Sequence, residues 1–295
     1  MTATAFRKLT AVVLVFVAAI IVTGAAVRLS GSGLGCSDWP NCEPGALVGA
    51  KDAHQAIEQI NRLFTGLMLV AIVAALAGAY RRRPRRKDLT VLASALIVGF
   101  FGQALVGGIV VLSHLHPATV LLHFLLSAVV LVAALVLHKR AGEPEGPYEP
   151  AVAPMSLAAV RAIVAGGMLA VASGTVVTNT GPHGGDEDAR RFGLSLLGVV
   201  RVHSVIVLAT LTLTLALIWR LRRHSDRGVL YRPLEAFIAA GAAQGAIGYW
   251  QWFTRLPALV VGFHIAGATA VIVTLTRLLL VTRRPVSRER VPAAR

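Results

Sequence analysis

Glu58 stands in the stretch His54-Gln-Ala-Ile-Glu-Gln-Ile-Asn-Arg62, where a polar loop passes into a long apolar run. At helical spacing His54, Glu58 and Asn61 share one face, because residues three, four and seven apart line up. An acidic side chain at the edge of the hydrocarbon is costly, roughly 2.5–3.5 kcal/mol at mid-membrane and less near the surface. Such a group is kept for a task rather than for packing. A carboxylate there can hold and deprotonate a water, or stabilise positive charge developing on a neighbouring carbon. Arg62, one turn on, is placed either to offset that charge as a plain ion pair or to hold an anionic ring substituent such as a propionate.

Histidines form the second constellation. His203 and His264 lie at matching depth in two later apolar runs. Two embedded imidazoles on the second and fourth helices of a bundle suit axial ligation of one heme between facing helices. A lone histidine would more simply hydrogen-bond a neighbouring helix, but a matched pair inside a repeat argues for ligation. His123 takes the corresponding place in the first half, and its partner slot holds Asn61, a poor iron ligand. A heme there is held by His123 alone, by His123 with His54, or by His123 with water. His183, in the loop Gly181-Pro-His-Gly-Gly-Asp186, is a candidate to touch a heme edge or a propionate. His114 and His116 flank the end of the third run, and His138 and His224 border basic loops, where solvation is the simpler role.

The elements that must carry these residues follow from composition. Of 295 residues 56% are hydrophobic and the mean hydropathy is +0.70, which marks an all-α integral membrane protein rather than a soluble one. Eight apolar runs, approximately 10–29, 60–80, 89–112, 118–138, 157–178, 196–219, 232–252 and 257–281, are each near the ~20 residues a helix needs to cross a bilayer. The first run is long and continues into a loop used below, so it reads as a span rather than a cleaved signal. The net charge of +15 sits in short loops: Arg7 and Lys8, the run Arg81 to Lys87, Lys139 and Arg140, then Arg220 to Arg227 and Arg283 to Arg290. Alternate loops carry few basic residues. That bias predicts a multi-pass plasma-membrane protein with both termini in the cytoplasm, and reads the charge as topology rather than nucleic-acid binding.

The halves repeat weakly but in register. Gly24-Ala-Ala-Val-Arg-Leu-Ser-Gly31 echoes Gly174-Thr-Val-Val-Thr-Asn-Thr-Gly181. Gln103-x-x-x-Gly107 precedes His123 by the interval at which Gln244-x-x-x-Gly248 precedes His264, and Pro117 and Pro257 open the helices that follow. Stepping back from His123 by the His203–His264 separation lands, within one residue, on Asn61. Glu58 has no acidic counterpart, Val200 filling its place. The expectation is two pseudo-symmetric four-helix bundles, 1–140 and 157–295, joined by a Pro/Glu/Gly-rich cytoplasmic linker at 141–156. The asymmetry assigns chemistry to the first bundle and electron storage to the second.

Cys36 and Cys42 share the exterior loop Gly31-Ser-Gly-Leu-Gly-Cys36-Ser-Asp-Trp-Pro-Asn-Cys42, where disulfides persist. Closing so small a loop contributes roughly 2–3 kcal/mol. The pair reads as a staple over the first bundle or as a redox-active couple; two thiols alone make half a metal site.

These motifs resemble the heme A synthases, the bacterial and mitochondrial proteins that supply heme A to cytochrome oxidases. The resemblance rests on Gly24-x-x-x-Arg28-Leu-Ser-Gly-Ser-Gly-Leu-Gly-Cys36-x-Asp38-Trp-Pro-x-Cys42, Glu58-x-x-x-Arg62, Gln103-x-x-x-Gly107-Gly108 through His123, Val177-Thr-Asn-Thr-Gly-Pro-His183-x-Gly-Asp186, His203 and His264. It implies eight helices in two bundles, with a heme b between His203 and His264. Heme O would enter the first half as substrate near His123, Arg62, Asn61 and the alternative ligand His54. One of its ring methyls would be hydroxylated twice and the diol dehydrated to a formyl group, with Glu58 matching the family's catalytic glutamate. It further implies delivery from a heme O synthase, a membrane electron acceptor and a possible homo-oligomer. The sequence departs from the family's Glu-x-x-His-Arg at Asn61, and its second outer loop lacks the cysteine pair of some relatives.

Two other classes compete. A membrane b-type cytochrome would pass electrons between quinol and an outer-face partner without altering a heme. A transporter with a polar midplane site is weaker, because paired Gly/Pro interruptions of the spans are missing.

Overall fold

A computed structural model describes residues 1–49 and 51–286. Its eight helices are α1 (Ala3–Leu29), α2 (Ala53–Arg81), α3 (Lys87–Leu112), α4 (Pro117–Ala141), α5 (Pro154–Thr180), α6 (Leu196–Leu221), α7 (Arg227–Phe253) and α8 (Ala258–Leu280). Two three-residue strands, β1 (Tyr148–Pro150) and β2 (Arg283–Pro285), complete the described elements. Local chemistry sets several helix starts. The side chains of Thr2, Asp52 and Ser195 accept from backbone N–H groups that have no partner within the helix. Pro117 and Pro154 stand in the first turn, where a missing N–H costs nothing and the fixed φ suits the helix.

Seven helices are long and apolar enough to cross a membrane, so the chain is a multi-pass membrane protein. The eighth, α7, is as long but carries Glu235, Gln244 and Gln251 among its apolar residues. It packs between α6 and α8, and Gln244 and Gln251 face a cavity. Polar side chains of membrane helices turn inward for the same reason, since lipid offers them no partner.

Within each half the four helices close into a ring: α1 meets α2 and α4 while α3 meets α2 and α4, and α5 to α8 repeat the pattern. The halves join along α1 and α4 on one side and α5 and α8 on the other. Val171 and Ile272 of the second half belong to the core of the first. The repeat extends to the turns. His114 and Leu115 (φ 50° and 55°) precede α4, and Arg255 and Leu256 (φ 62° and 60°) precede α8, all in the left-handed region that side chains seldom enter. Leu115 N–H donates to Val110 O at 2.9 Å, and Leu256 N–H to Gln251 O at 2.7 Å, closing both turns alike.

One end of the molecule gathers the basic loops. The N-terminal amine donates to Arg81 O at 2.8 Å, Arg86 Nη1 to Arg140 O at 3.0 Å, and Lys139 Nζ to Leu280 O at 2.8 Å. The linker is shorter than the 141–156 expected, because α4 runs to Ala141 and α5 begins at Pro154. It is also held: β1 pairs antiparallel with β2, with Glu149 opposite Arg284, and Arg284 Nε donates to Glu149 Oε1 at 2.8 Å. Backbone groups left free between two bundles find partners in each other.

Packing is dense at this basic end and sparse at the other. The buried residues of α6 begin at Thr210, and those of α7 end at Gly241. In the first half Ile72, Leu89, Leu96, Leu131 and Leu137 are fully buried toward the basic end. Both bundles are therefore closed below and hollow above.

Candidate functional site

The hollow ends form a cavity of about 800 Å³ whose wall is drawn from both halves, within the size range of small-molecule and cofactor sites. His123, His203, His264, Glu58, Asn61 and Arg62 all line it.

The histidines are set by a shared local device. His203 on α6 lies against Gly174 of α5, where an added Cβ would come within 3.1 Å of the ring, and its Nδ1 is 3.0 Å from Ser173 Oγ. His264 on α8 lies against Gly248 of α7, with 3.3 Å to such a Cβ, and its carbonyl accepts from Gln244 Nε2 at 2.7 Å. His123 on α4 lies against Gly107 of α3, at 3.2 Å, and its carbonyl accepts from Gln103 Nε2 at 3.3 Å. Each ring thus lies where a side chain on the neighbouring helix would crowd it by a few tenths of an ångström, and in each case that position is a glycine. The Nδ1 atoms of His123 and His264 are buried without a partner, as are the Oε1 atoms of Gln103 and Gln244. The fourth position breaks the pattern. Asn61 Oδ1 accepts from Thr23 Oγ1 at 2.8 Å, and an added Cβ on Gly24 would meet nothing within 4 Å.

The carboxylate of Glu58 is 7% exposed, and both oxygens are engaged. Oε1 accepts from Arg62 Nη2 at 2.6 Å and Nε at 3.0 Å; Oε2 accepts from the backbone N–H of Cys36 at 2.8 Å. Arg62 also donates through Nη1 to the carbonyls of Asp38 (3.0 Å) and Asn41 (2.9 Å). Of the two roles open to Arg62, the protein alone realises the ion pair, extended into a clamp on the loop. That loop is closed by a Cys36–Cys42 disulfide. Its Trp39 ring lies over Gly108 of α3, so close that a Cβ there would come within 2.8 Å. Trp39 and Pro40 enter the cavity wall, making the loop a lid over the first bundle. Outside the spans, Glu43 of the lid is held below the usual carboxylate range by hydrogen bonds from Lys51 and Gln55.

Of the three residues expected on one cavity face of α2, Glu58 and Asn61 are there and His54 is not. His54 is exposed at the first turn, its Nδ1 3.0 Å from Ser32 Oγ, and it lies outside the cavity wall. The helix begins at Ala53, so its first turn projects past the hollow rather than into it. His183 lines the cavity, with Nε2 2.7 Å from Leu256 O.

Sequence reasoning missed the join between the halves at this end. Arg28 of α1 donates to His183 O (2.8 Å), Asn179 Oδ1 (3.0 Å) and Thr178 O (3.1 Å), and Gly33 N–H donates to Gly185 O at 2.7 Å. The signal was an arginine at the end of an apolar span, a costly place that called for a partner.

A heme fits this wall. Among the described residues no three His, Cys, Asp or Glu side chains converge on a bare ion. The donors come singly or facing, which is the set a macrocycle with four nitrogens leaves to be completed. The Nε2 atoms of His123, His203 and His264 make no hydrogen bond among the described residues and, unlike the sealed Nδ1 atoms of His123 and His264, are open to the largely apolar cavity, which suits an occupant that is apolar in body and carries a metal.

The chain matches the family model described as cytochrome oxidase assembly protein, COX15-CtaA, over residues 7–59 and 46–187. It is 29% identical over 119 residues to a heme A synthase of Lysinibacillus sphaericus, covering 40% of this chain and 39% of that protein. Heme A synthases of Halalkalibacterium halodurans (30% over 149 residues, 50% and 49%) and Staphylococcus saprophyticus (31% over 137 residues, 46% and 45%) are similar to it as well. The matched stretch therefore spans no more than half the length of these curated relatives. The family match takes in the lid, Glu58, Asn61, Arg62, His123 and His183, and His203 and His264 lie beyond it. With more than half of its length under that model, the chain belongs to the COX15-CtaA family of cytochrome oxidase assembly proteins.

Proposed function

We propose that the protein is a heme A synthase that converts a ring methyl of heme O to a formyl group. The observation that carries this reading is Glu58, a buried carboxylate in the cavity wall whose counterpart in the repeat is Val200. A cytochrome that only relayed electrons would have no use for an acid in one half alone.

In this reading 1–140 is the substrate half and 157–295 the heme b half. His203 and His264 hold heme b, which supplies one-electron redox chemistry when bound. His123 holds the iron of heme O, and the apolar wall takes the ring. Arg62 and the Cys36 N–H hold the two oxygens of Glu58, bonds that fix the direction of the carboxyl group. In each of the two hydroxylations the methyl carbon gives up a C–H proton and two electrons, water adds to that carbon, and Glu58 accepts the proton the water releases; when the diol loses water, Glu58 returns a proton to the departing hydroxyl. Electrons leave to a membrane acceptor. The lid, stapled by its disulfide, keeps bulk water from the methyl. The basic end faces the cytoplasm of a plasma-membrane protein, heme O arrives from a heme O synthase, and chains associate as homo-oligomers.

Glu58→Gln tests the reading. In a host supplied with heme O, heme A should fall by about 10²–10⁴-fold, while the low-spin heme signal of the second half persists. Heme A at the wild-type level, identified by mass after extraction, would remove Glu58 from the chemistry.

A further inference from the structure

Three histidine rings in the cavity wall each rest against a glycine, at Gly107, Gly174 and Gly248, with 3.1–3.3 Å to a hypothetical Cβ. The fourth such glycine, Gly24, faces open space. Ser173 Oγ contacts His203 Nδ1 in the second half. At the repeat-equivalent place the single proton of Thr23 Oγ1 goes to Asn61 Oδ1 at 2.8 Å, the shorter of its two contacts, the other being Ile20 O at 3.3 Å. The shorter side chain is drawn to α1, and the volume an imidazole would fill stays part of the cavity. With Oδ1 taken, Asn61 Nδ2 has no hydrogen-bond partner among the described residues, although Asn61 lines the cavity. Neighbouring groups cannot close the gap. Glu58 and Arg62 are bound to each other and to the lid, and His54 is exposed beside Ser32.

We infer that the first-half site leaves one axial side open to a small neutral exogenous ligand, of the size of water or a diatomic gas, with Asn61 Nδ2 as its hydrogen-bond donor. The inference rests on the proposal that His123 holds a heme. The volume to be filled is the difference between an imidazole and the shorter carboxamide, which is the scale of a small molecule, and the free amide N–H selects one that can both bind iron and accept a hydrogen bond. The second half, with two imidazoles, has no open side. The chain thus carries one ligand-accessible and one closed heme position.

Carbon monoxide is the probe, added to the reduced, full-length protein loaded with heme O. Two hemes per chain and one bound carbon monoxide are expected. Asn61→His should make the first-half heme low-spin and cut carbon monoxide binding by about tenfold or more, as an internal ligand displaces the external one. Asn61→Leu should retain binding but move the C–O stretch to higher frequency, because the donor is gone. Gly24→Leu should fill the space and lower affinity with heme content unchanged. The low-spin signal of the second half reports folding in every variant. Two hemes that are both low-spin and bind no carbon monoxide overturn the inference and leave the first-half heme standing. A C–O stretch unmoved by Asn61→Leu removes Asn61 as the donor. One heme per chain, insensitive to His123→Ala, sinks the underlying proposal itself.

Discussion

The two bundles share a plan and part at a few positions. In the second, Ser173–His203 and Gln244–His264 face a common space, and the acid's place is taken by Val200. In the first, Gln103–His123 is preserved, Asn61 replaces the partner histidine, and Glu58 with Arg62 ties the α2 helix to a disulfide-closed lid. The difference teaches that one scaffold can present two different cavity walls, and on the proposed reading a handful of side chains would make one half a storage site and the other a reaction site. In that reading two imidazoles and no acid would saturate a metal, whereas one imidazole, an acid and a lid would leave room for chemistry.

The largest effect that could break this comparison is on the second half. His203→Ala should abolish the low-spin bis-histidine spectrum, and His54→Ala should leave it unchanged. A low-spin signal surviving His203→Ala would show that the second bundle is not the closed one. A smaller effect concerns the clamp. Arg62→Gln strands a buried carboxylate, and should cost about 3–5 kcal/mol of first-half stability, discounted toward the lower figure because Arg62 is 19% exposed. Ser204→Ala, one residue past His203 as Arg62 is one past Asn61, should shift thermal unfolding hardly at all. Equal shifts would mean that the lid owes nothing to the ion pair.

The smallest effect probes how the halves are strapped at the basic end. Tyr148 donates to Glu143 Oε2 at 2.6 Å, and burial, then that carboxylate, pushes its phenol up to about 12. A raised folded-state value means stability that is fully present below about pH 10, the free-phenol value, and is lost as pH rises toward 12. Phenolate absorbance should therefore show one tyrosine titrating late, and Tyr148→Phe should remove it. An unchanged titration would show that the linker does not hold Tyr148 against Glu143.

Much of this was legible beforehand. Span positions, the registers of Gln103 with His123 and Gln244 with His264, and the substitution at Asn61 could all be read from spacing. Helical periodicity and hydropathy are local properties, repeated every few residues, so a sequence displays them openly. The paired thiols and the acid of Glu58 were visible for the same reason: they are rare residue types in costly places.

What tertiary structure decided lies across long separations. The chain order does not reveal that the Cys36 N–H would meet Glu58, that Arg28 would bridge to Thr178, Asn179 and His183, or that the linker would pair with residues 283–285. Nor does it show that His54, in register with Glu58, would sit beyond the cavity while Asn61 was drawn to Thr23. The amino-acid sequence determined which side chains could do chemistry and on which helices they ride. Which of their atoms are already spoken for depends on loops whose backbone groups find partners only when distant segments meet.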